Sequence, residues 1–416
     1  MDSQPIALKK SGLQSVLNMA VLVAALGYFV DIYDLILFNV IKEASLIGIG
    51  VPTEKLQEVG ISLYNWQMYG MLLGGILWGV LGDKRGRLSV LFGSIIIYSI
   101  ANIVNGFVTD VNTYAAVRFI AGVGLAGELG AGITLVSESM SKEQRGYGTM
   151  LIVAVGALGA VFAAQIGKNF HWSTAYFVGG GLGLVLLALR ISVFESGMYK
   201  NIEKSGAKKG AFIQLFTDRK RFFKYLNCIL IGLPIWFTIA VLINNSNKFG
   251  ELLGVQGKVV IGDAVMYLYI GLSVGGIFVG LLSQLLKSRK KVVLICLALL
   301  YILIVLFLFL TGLTLFEFYT LCFLIGFATG FWALFVTIAS EQFGTNIRST
   351  VTTTVPNFVR GSVPLITGSY LFFIKNHITG NVYSAFIVGS VCTLLSFIAV
   401  LNVKETFGKD LDYIEP

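Results

Sequence analysis

Runs of about 20 mostly apolar residues recur about a dozen times along this chain of 416 residues. Each run is long enough to cross the ~30 Å hydrocarbon core of a bilayer as a helix, whereas a β-barrel would show short alternating segments. Charged residues make up only 13% of the sequence, about half of the ~25% that is usual in soluble domains. We therefore expect an all-α membrane protein with 12 transmembrane helices. We place these helices near residues 14–42, 61–82, 89–108, 113–139, 146–167, 172–194, 223–244, 262–286, 291–312, 316–339, 350–374 and 382–403.

The net charge of +9 reflects membrane orientation and does not indicate nucleic-acid binding. If the N-terminus faces the cytoplasm, most Lys and Arg residues fall in inner segments, whereas few, such as Lys42, Lys55, Lys168 and Lys375, fall in outer ones. This positive-inside bias predicts that both termini are cytoplasmic.

A weak internal repeat divides the chain into two similar halves. The segment "SESMSKEQRG" at 137–146 resembles "SEQFGTNIRS" at 340–349, with an offset of 203 residues, and the loop at 79–87 has a counterpart about 201 residues later. The only long polar connection between helices on the inner side separates the first six helices from the last six. We therefore predict two pseudo-symmetric six-helix bundles, at 1–195 and 223–416, joined by a cytoplasmic linker at 196–222.

The inner turn between the second and third helices carries the most specific motif, "GVLGDKRGR" at 79–87. Gly79 allows close helix packing, Gly86 allows a tight turn, and Asp83 and Arg87 can join charge pairs at the membrane surface. This G-x-x-x-D-x-x-G-R pattern resembles the signature of the major facilitator superfamily (MFS). The resemblance covers the whole chain and implies the MFS fold, within the sugar-porter, metabolite:proton symporter and organic-ion branches.

Further motifs are similar to those of the same superfamily. The segment "RFIAGVG" with Arg118 and Gly122 looks like its helix-4 motif, and Gln284 replaces the second-half copy of Asp83. The flanking prolines of the family's PES and PET motifs and a clear sugar-binding QQ pair are missing, which weakens the expectation of a sugar. The resemblance implies an inner gating network of Asp83, Arg87, Glu138, Arg145, Glu195, Glu341, Arg348 and Glu405.

Two carboxyl groups, Asp31 and Asp34, lie within the first apolar run in "FVDIYDLILF". The segment around Asp34 resembles the helix-1 segment of proton-coupled sugar porters, whose Asp is protonated. Asp34 and Arg118 can pair at a similar depth, and a carboxylate that alternates between an Arg and a proton can couple proton movement to conformational change. A static ion pair between helices 1 and 4 is the alternative, and Asp31 can instead be the proton site. Glu128, in "LAGELGAG", can line the cavity, transfer protons or make a structural hydrogen bond.

Arg360, in "VPNFVRGS", is the charge that says most about the substrate. It is predicted near the membrane midplane, where such transporters hold substrate, beside Pro356 and Gly361, which predict irregular backbone. A fixed guanidinium there can bind a carboxylate or phosphate, as in anion carriers of the superfamily; neutralisation by Glu128 or Asp31 is the alternative. Further candidate substrate contacts are Asn357, Tyr64, Asn65, Gln67, Trp236, Asn244, Tyr267 and Trp332.

We expect a secondary active transporter, specifically a proton symporter of a small organic anion that works by alternating access. The alternatives are a facilitator or antiporter of a neutral metabolite, sugar or siderophore-like compound, and a transport-dead receptor. No nucleotide-hydrolysing phosphate loop, H-E-x-x-H or G-x-S-x-G motif occurs, so no enzymatic activity is expected. The four cysteines form no CxxC, and we predict no metal or cofactor. The predicted setting is a bacterial inner membrane, with a monomer surrounded by lipid.

Overall fold

The structure is a computed structural model that describes residues 19–85, 87–139, 145–195, 212–344 and 346–408. Within these ranges the chain is built from helices, and nine of them are long and apolar enough to cross a membrane. The prediction of an all-α membrane protein is confirmed. The predicted division at 196–222 stays a prediction, because 196–211 lie outside the described residues.

The described helical segments make up twelve helices, which we number α1 to α12. The first half comprises α1 (Met19–Gly48), α2 (Leu56–Arg85), α3 (Arg87–Asn105), α4 (Val111–Leu125 and Glu128–Ser139), α5 (Arg145–Asn169) and α6 (Trp172–Glu195). The second half comprises α7 (Arg219–Leu252, in pieces), α8 (Ile261–Leu285), α9 (Arg289–Phe309), α10 (Leu315–Ala328 and Trp332–Glu341, joined by Thr329–Phe331), α11 (Arg348–Gly361 and Val363–Lys375) and α12 (Asn381–Asn402). We call the end with the α2–α3 turn the inner end.

The outer end of α1 differs from the prediction. The helix continues to Gly48, six residues beyond the predicted end at 42, and Lys42 is buried within it rather than placed in an outer loop. Its ammonium group donates to the carbonyl oxygen of Asn244, at 3.3 Å, in the other half. A carbonyl that is freed by irregular backbone in α7 thus supplies the partner that makes a buried Lys tolerable.

The same close helix packing through glycine occurs in both halves. A methyl group on Gly70 or Gly74 of α2 would overlap the carbonyl oxygen of Phe119 or Val123 in α4. In α8 and α10 the same relation recurs, at positions 201 and 204 residues later, between Gly271 and Phe323 and between Gly275 and Phe327. Backbone-to-backbone approach of this kind is how membrane helices pack without a hydrophobic driving force. The predicted pseudo-symmetry of the two bundles is confirmed.

The halves meet along two helix pairs, α2 with α11 and α5 with α8. The hydroxyl of Ser273 in α8 donates to the carbonyl oxygen of Ala154 in α5 at 2.7 Å, near the centre of the interface. On the outer side Lys168 pairs with Asp263 at 3.2 Å, and on the inner side Thr350 donates to the carbonyl oxygen of Gly79 at 3.4 Å. The halves therefore contact each other both above and below the centre of the molecule.

The glycine contacts generate a prediction about stability. Gly122→Ala should lower the melting temperature, because the new methyl group would overlap the backbone carbonyl of Gln67 and overpacking of this kind costs about 1–3 kcal/mol. Gly181→Ala is the matched control, since no atom lies within 4 Å of its new methyl group. Thermal unfolding of the purified proteins in detergent measures the difference, and an equal melting temperature for both variants would contradict this packing.

Candidate functional site

The site is centred on Arg360, whose side chain is fully buried between the two halves. Nη2 lies 3.9 Å from Oδ2 of Asp31 in α1, and Nη1 donates to Oδ1 of Asn357 at 3.4 Å. The charges are close enough to attract each other, but no hydrogen bond joins them. Among the described residues, both carboxylate oxygens of Asp31, and Nε and Nη2 of Arg360, have no hydrogen-bond partner. The pair therefore has donors and acceptors to offer a third group.

Two broken helices place these groups. The first segment of α11 carries Pro356 and ends at Gly361, one residue after Arg360, so the predicted irregular backbone is confirmed. The guanidinium thus sits at a helix C-terminus, where the exposed carbonyls favour a cation. In α7, Thr238–Leu242 is a π-helix and Ile243–Asn245 a 3₁₀ turn, so the regular ladder is interrupted beside the site.

Aromatic rings form the wall beside Arg360. Its guanidinium carbon lies 5.4 Å from the ring centroid of Trp236 and 5.7 Å from that of Trp332, within the range of cation–π attraction. The indole N–H of Trp332 donates to the hydroxyl of Tyr28 at 2.9 Å, which ties α10 to α1. A cavity of about 20 Å³ lies against these rings. Its lining residues are Tyr28, Ile32, Ala157, Ile235, Trp236, Ile239, Tyr269, Leu272 and Trp332.

Of the predicted substrate contacts, Trp236 and Trp332 line this cavity and the others do not. Tyr267 stacks on Tyr319 with a centroid distance of 5.3 Å, and Tyr269, which the sequence reading passed over, lines the cavity instead. Asn65 accepts from Thr367 at 3.3 Å across the α2–α11 contact. Tyr64 and Gln67 are buried in α2, and the carbonyl of Asn244 holds Lys42.

Asp34 and Arg118 form a second buried group, inside the first half. Arg118 donates to Oε1 of Gln67, and its guanidinium carbon lies 4.4 Å from the ring centroid of Phe38. Asp34 interacts electrostatically with Arg118, but its two oxygens have no hydrogen-bond partner among the described residues. Arg118 is thus hydrogen-bonded to Gln67, and no hydrogen bond joins Arg118 to Asp34.

Glu128 belongs to a third buried group and lies opposite Arg190 of α6. Two parallel hydrogen bonds of 2.7 and 2.9 Å join the guanidinium to the carboxylate, and Ser94 donates to the same carboxylate at 2.9 Å. Gly27 of α1 leaves the space, since a methyl group there would overlap Arg190. Arg190 is not among the predicted site residues, although a single Arg late in an apolar run is the counter-charge that a buried Glu requires.

The comparisons with known proteins agree with this architecture. A sequence model of the family described as the Major Facilitator Superfamily matches residues 18–368. This chain belongs to the Major Facilitator Superfamily. Its fold is similar to that of the MFS proton:xylose symporter XylE bound to 6-bromo-6-deoxy-D-glucose, with a TM-score of 0.70, 16% identity, and coverage of 97% of this chain and 98% of that one.

Two curated relatives from bacteria are similar over part of the chain. The niacin transporter NiaP of Acinetobacter baylyi is 31% identical over 186 residues, which are 42% of this chain and 40% of that protein. The 3-(3-hydroxy-phenyl)propionate transporter of Escherichia coli is 27% identical over 199 residues, or 47% and 48%. The chain thus spans about half the length of these curated relatives. Both relatives are named as transporters, which agrees with the prediction that this chain is not an enzyme.

Of the residues predicted to form an inner gating network, the structure describes the side chains of Glu341, Arg348 and Glu405, and their gating role stays a prediction. Glu341 pairs with Arg289 at 3.4 Å, and Arg348 donates to the carbonyl oxygen of Phe343 at 3.4 Å. Glu405 accepts from Ser288 and from the backbone N–H of Arg289, and so caps the start of α9. The side chains of Asp83, Arg87, Glu138, Arg145 and Glu195 lie outside the part of the chain that the structure describes.

Hydrogen bonding sets the charge state of Glu405, which lies beyond the end of α12. Partial burial raises the pKa of its carboxyl, but the hydrogen bonds from Ser288 and from three backbone N–H groups outweigh burial and hold the pKa below its ordinary value. Because the folded-state pKa is lowered, this cap stabilises the protein at neutral pH and is lost only as the pH falls through that lowered pKa.

The Glu128–Arg190 pair generates a prediction that distinguishes a structural role of the pair from a role in transport. Glu128→Leu should destabilise the folded protein by about 3–5 kcal/mol, because it leaves the buried Arg190 without its counter-charge. The double variant Glu128→Leu with Arg190→Met should recover much of that loss, since no buried charge then remains. Chemical or thermal unfolding in detergent provides the measurement. A double variant that is as unstable as Glu128→Leu alone would contradict a structural role for the pair.

Proposed function

We propose that this chain is a secondary active transporter that carries a small organic anion together with a proton, by alternating access. The observation that supports this most directly is the buried Arg360, which lies beside Asp31 and next to the rings of Trp236 and Trp332. A guanidinium at this depth cannot lose its proton, so it keeps a positive charge for an anion. The two curated relatives, which are named as transporters of niacin and of 3-(3-hydroxy-phenyl)propionate, support the same substrate class.

The charges of the site supply a reason for coupling. An anion that bound Arg360 while Asp31 stayed ionised would leave a net negative charge in a medium of low dielectric constant, which is unfavourable. When Asp31 takes up a proton, the guanidinium is released to form two parallel hydrogen bonds with a carboxylate. One anion is therefore bound together with one proton, and the loaded site has the same net charge as the empty one.

The size of the central cavity supports alternating access. A volume of about 20 Å³ accommodates a water molecule but no organic acid. Since the halves contact each other on both the outer and the inner side, one set of contacts must open before the substrate can bind. The outer contacts include Lys42 with Asn244 and Lys168 with Asp263, and the inner ones include Thr350 with Gly79. We propose that these sets break in turn, with the inner end facing the cytoplasm.

A neutral substrate is the second candidate. Arg360 already has Asp31 as a counter-charge, and the cavity wall is mostly aromatic and aliphatic. In that case the ion pair would stay intact during transport and the rings would bind the substrate by stacking. Comparison of nicotinate with its neutral amide, nicotinamide, separates the two candidates, because the two molecules share the same ring.

Arg360→Gln should weaken the binding of nicotinate about 10- to 150-fold, the equivalent of the 1.5–3 kcal/mol that hydrogen bonds to a charged group supply. Arg360→Lys should retain part of the affinity, because it keeps the charge but not the planar fork. Uptake into proteoliposomes and thermal stabilisation by nicotinate, nicotinamide and 3-(3-hydroxyphenyl)propionate provide the measurements.

Lys55→Gln is the matched control, since it removes one positive charge from an exposed position at the outer surface. It should transport like the wild type. Equal uptake of nicotinate by Arg360→Gln and wild type would refute the assignment of Arg360. Selective uptake of nicotinamide would establish the neutral-substrate alternative.

A further inference from the structure

One face of α3 carries a row of buried polar side chains that the central site does not use. The row comprises Tyr98, Ser99, Asn102 and Asn105, and each of these side chains is at most 1% exposed. Among the described residues, the Tyr98 and Ser99 hydroxyls and both amide atoms of Asn102 and Asn105 have no hydrogen-bond partner. Buried polar groups of this kind are normally satisfied, by protein or by ordered water.

The facing helix, α6, packs closely against this row through glycines. Gly179 faces the carboxylate of Asp34, since a methyl group there would overlap Oδ1. Gly183 faces the hydroxyl of Ser99 in the same way, and Gly180 lies against the Ser99 carbonyl. We call this contact the α3–α6 seam; it comprises Tyr98, Ser99, Asn102 and Asn105 of α3 and Gly179, Gly180 and Gly183 of α6.

The seam connects the outer end of the first half to Asp34. Asn105 is the last residue of α3, directly before the outer loop that holds the exposed Phe107. Asn102, one helical turn deeper, interacts with Asp34. Gly179 lies seven residues from the start of α6, so Asp34 is about 10 Å below the outer end of that helix.

Asp34 is in turn close to Asp31. The two residues are three positions apart on α1, and side chains at this spacing lie about 5–6 Å apart. The charged or titratable groups around Asp34 come from every neighbouring element: Asp31 and Tyr33 from α1, Tyr98 from α3, Arg118 from α4 and Tyr176 from α6. Arg118 is the only cation among them in the described part of the chain, and it can compensate an ionised Asp34.

We infer that the α3–α6 seam is a proton pathway that leads from the outer surface to Asp34 and from there to Asp31, through water ordered by its unpartnered amides and separate from the route of the substrate. Water held by the two asparagine amides passes a proton to a carboxylate oxygen of Asp34. Asp34 then gives a proton to Asp31, which frees Arg360 for the anion. Each step moves one proton from one oxygen to another, and no other bond forms or breaks.

This inference rests on the proposed function. Two modes of transport test the proton pathway and the proposed function separately. Uptake of nicotinate driven by a pH gradient requires a proton to enter in each cycle. Counterflow, in which unlabelled nicotinate inside exchanges for labelled nicotinate outside without a gradient, requires no net proton movement. Both are measured in proteoliposomes with the full chain.

Asn102→Leu replaces the amide with an apolar group of similar size. It should slow gradient-driven uptake about tenfold or more, because a positioned proton-transfer group contributes at least that much, while counterflow stays at the wild-type rate. Asn102→Ser, which keeps a hydroxyl in the seam, should recover most of the uptake. Thr393→Val is the matched control: it removes a buried hydroxyl that bonds only within α12.

Two results would overturn the seam as a proton pathway. One is gradient-driven uptake by Asn102→Leu at the wild-type rate; the other is an equal loss of uptake and counterflow, which would assign Asn102 to the substrate cycle. A wild-type protein that exchanges nicotinate but does not respond to a pH gradient would instead refute the proposed proton coupling.

Discussion

The rest of the structure depends on one constraint: Arg360 carries a permanent charge at the centre of a membrane protein. A guanidinium in this position requires a counter-charge, and α1 of the opposite half provides it through Asp31 at 3.9 Å. The contact crosses the interface between the halves, so any movement of one half against the other changes the environment of the charge. In the proposed mechanism, the buried cation thereby links substrate binding, protonation and the relative position of the two bundles.

Three buried arginines illustrate how geometry separates structural from functional charges. Arg190 is satisfied by two parallel hydrogen bonds to Glu128 within one half, so it has little to gain from another partner. Arg118 is held by Gln67 and Phe38 but remains within reach of Asp34. Arg360 donates to Asn357 at 3.4 Å and has the carboxylate of Asp31 at 3.9 Å, across the interface between the halves. We propose that these three arrangements correspond to a rigid contact in the first bundle, a cation that compensates a proton site, and a binding group.

The sequence predicts the fold well, because the features that define it are local. Apolar runs fix the helices, and the recurrence of Gly70 and Gly74 at Gly271 and Gly275 reflects duplicated halves. Partners in the site are less predictable, since Asp31 and Arg360 are more than 300 residues apart in the chain. Depth along a helix can be counted from the sequence, but the direction of a side chain depends on tilt and on helix breaks. Tyr269 rather than Tyr267 therefore reaches the cavity, and Arg190 rather than a cavity residue pairs with Glu128.

The most direct test of the central claim is the proton movement that accompanies nicotinate transport by the wild type and by Asp31→Asn. Proteoliposomes in weakly buffered solution report it through the external pH when nicotinate is added. We expect alkalinisation with the wild type, and nicotinate exchange without any pH change with Asp31→Asn, which cannot take up the proton. The same alkalinisation with Asp31→Asn would contradict the proposal that protonation of Asp31 releases Arg360.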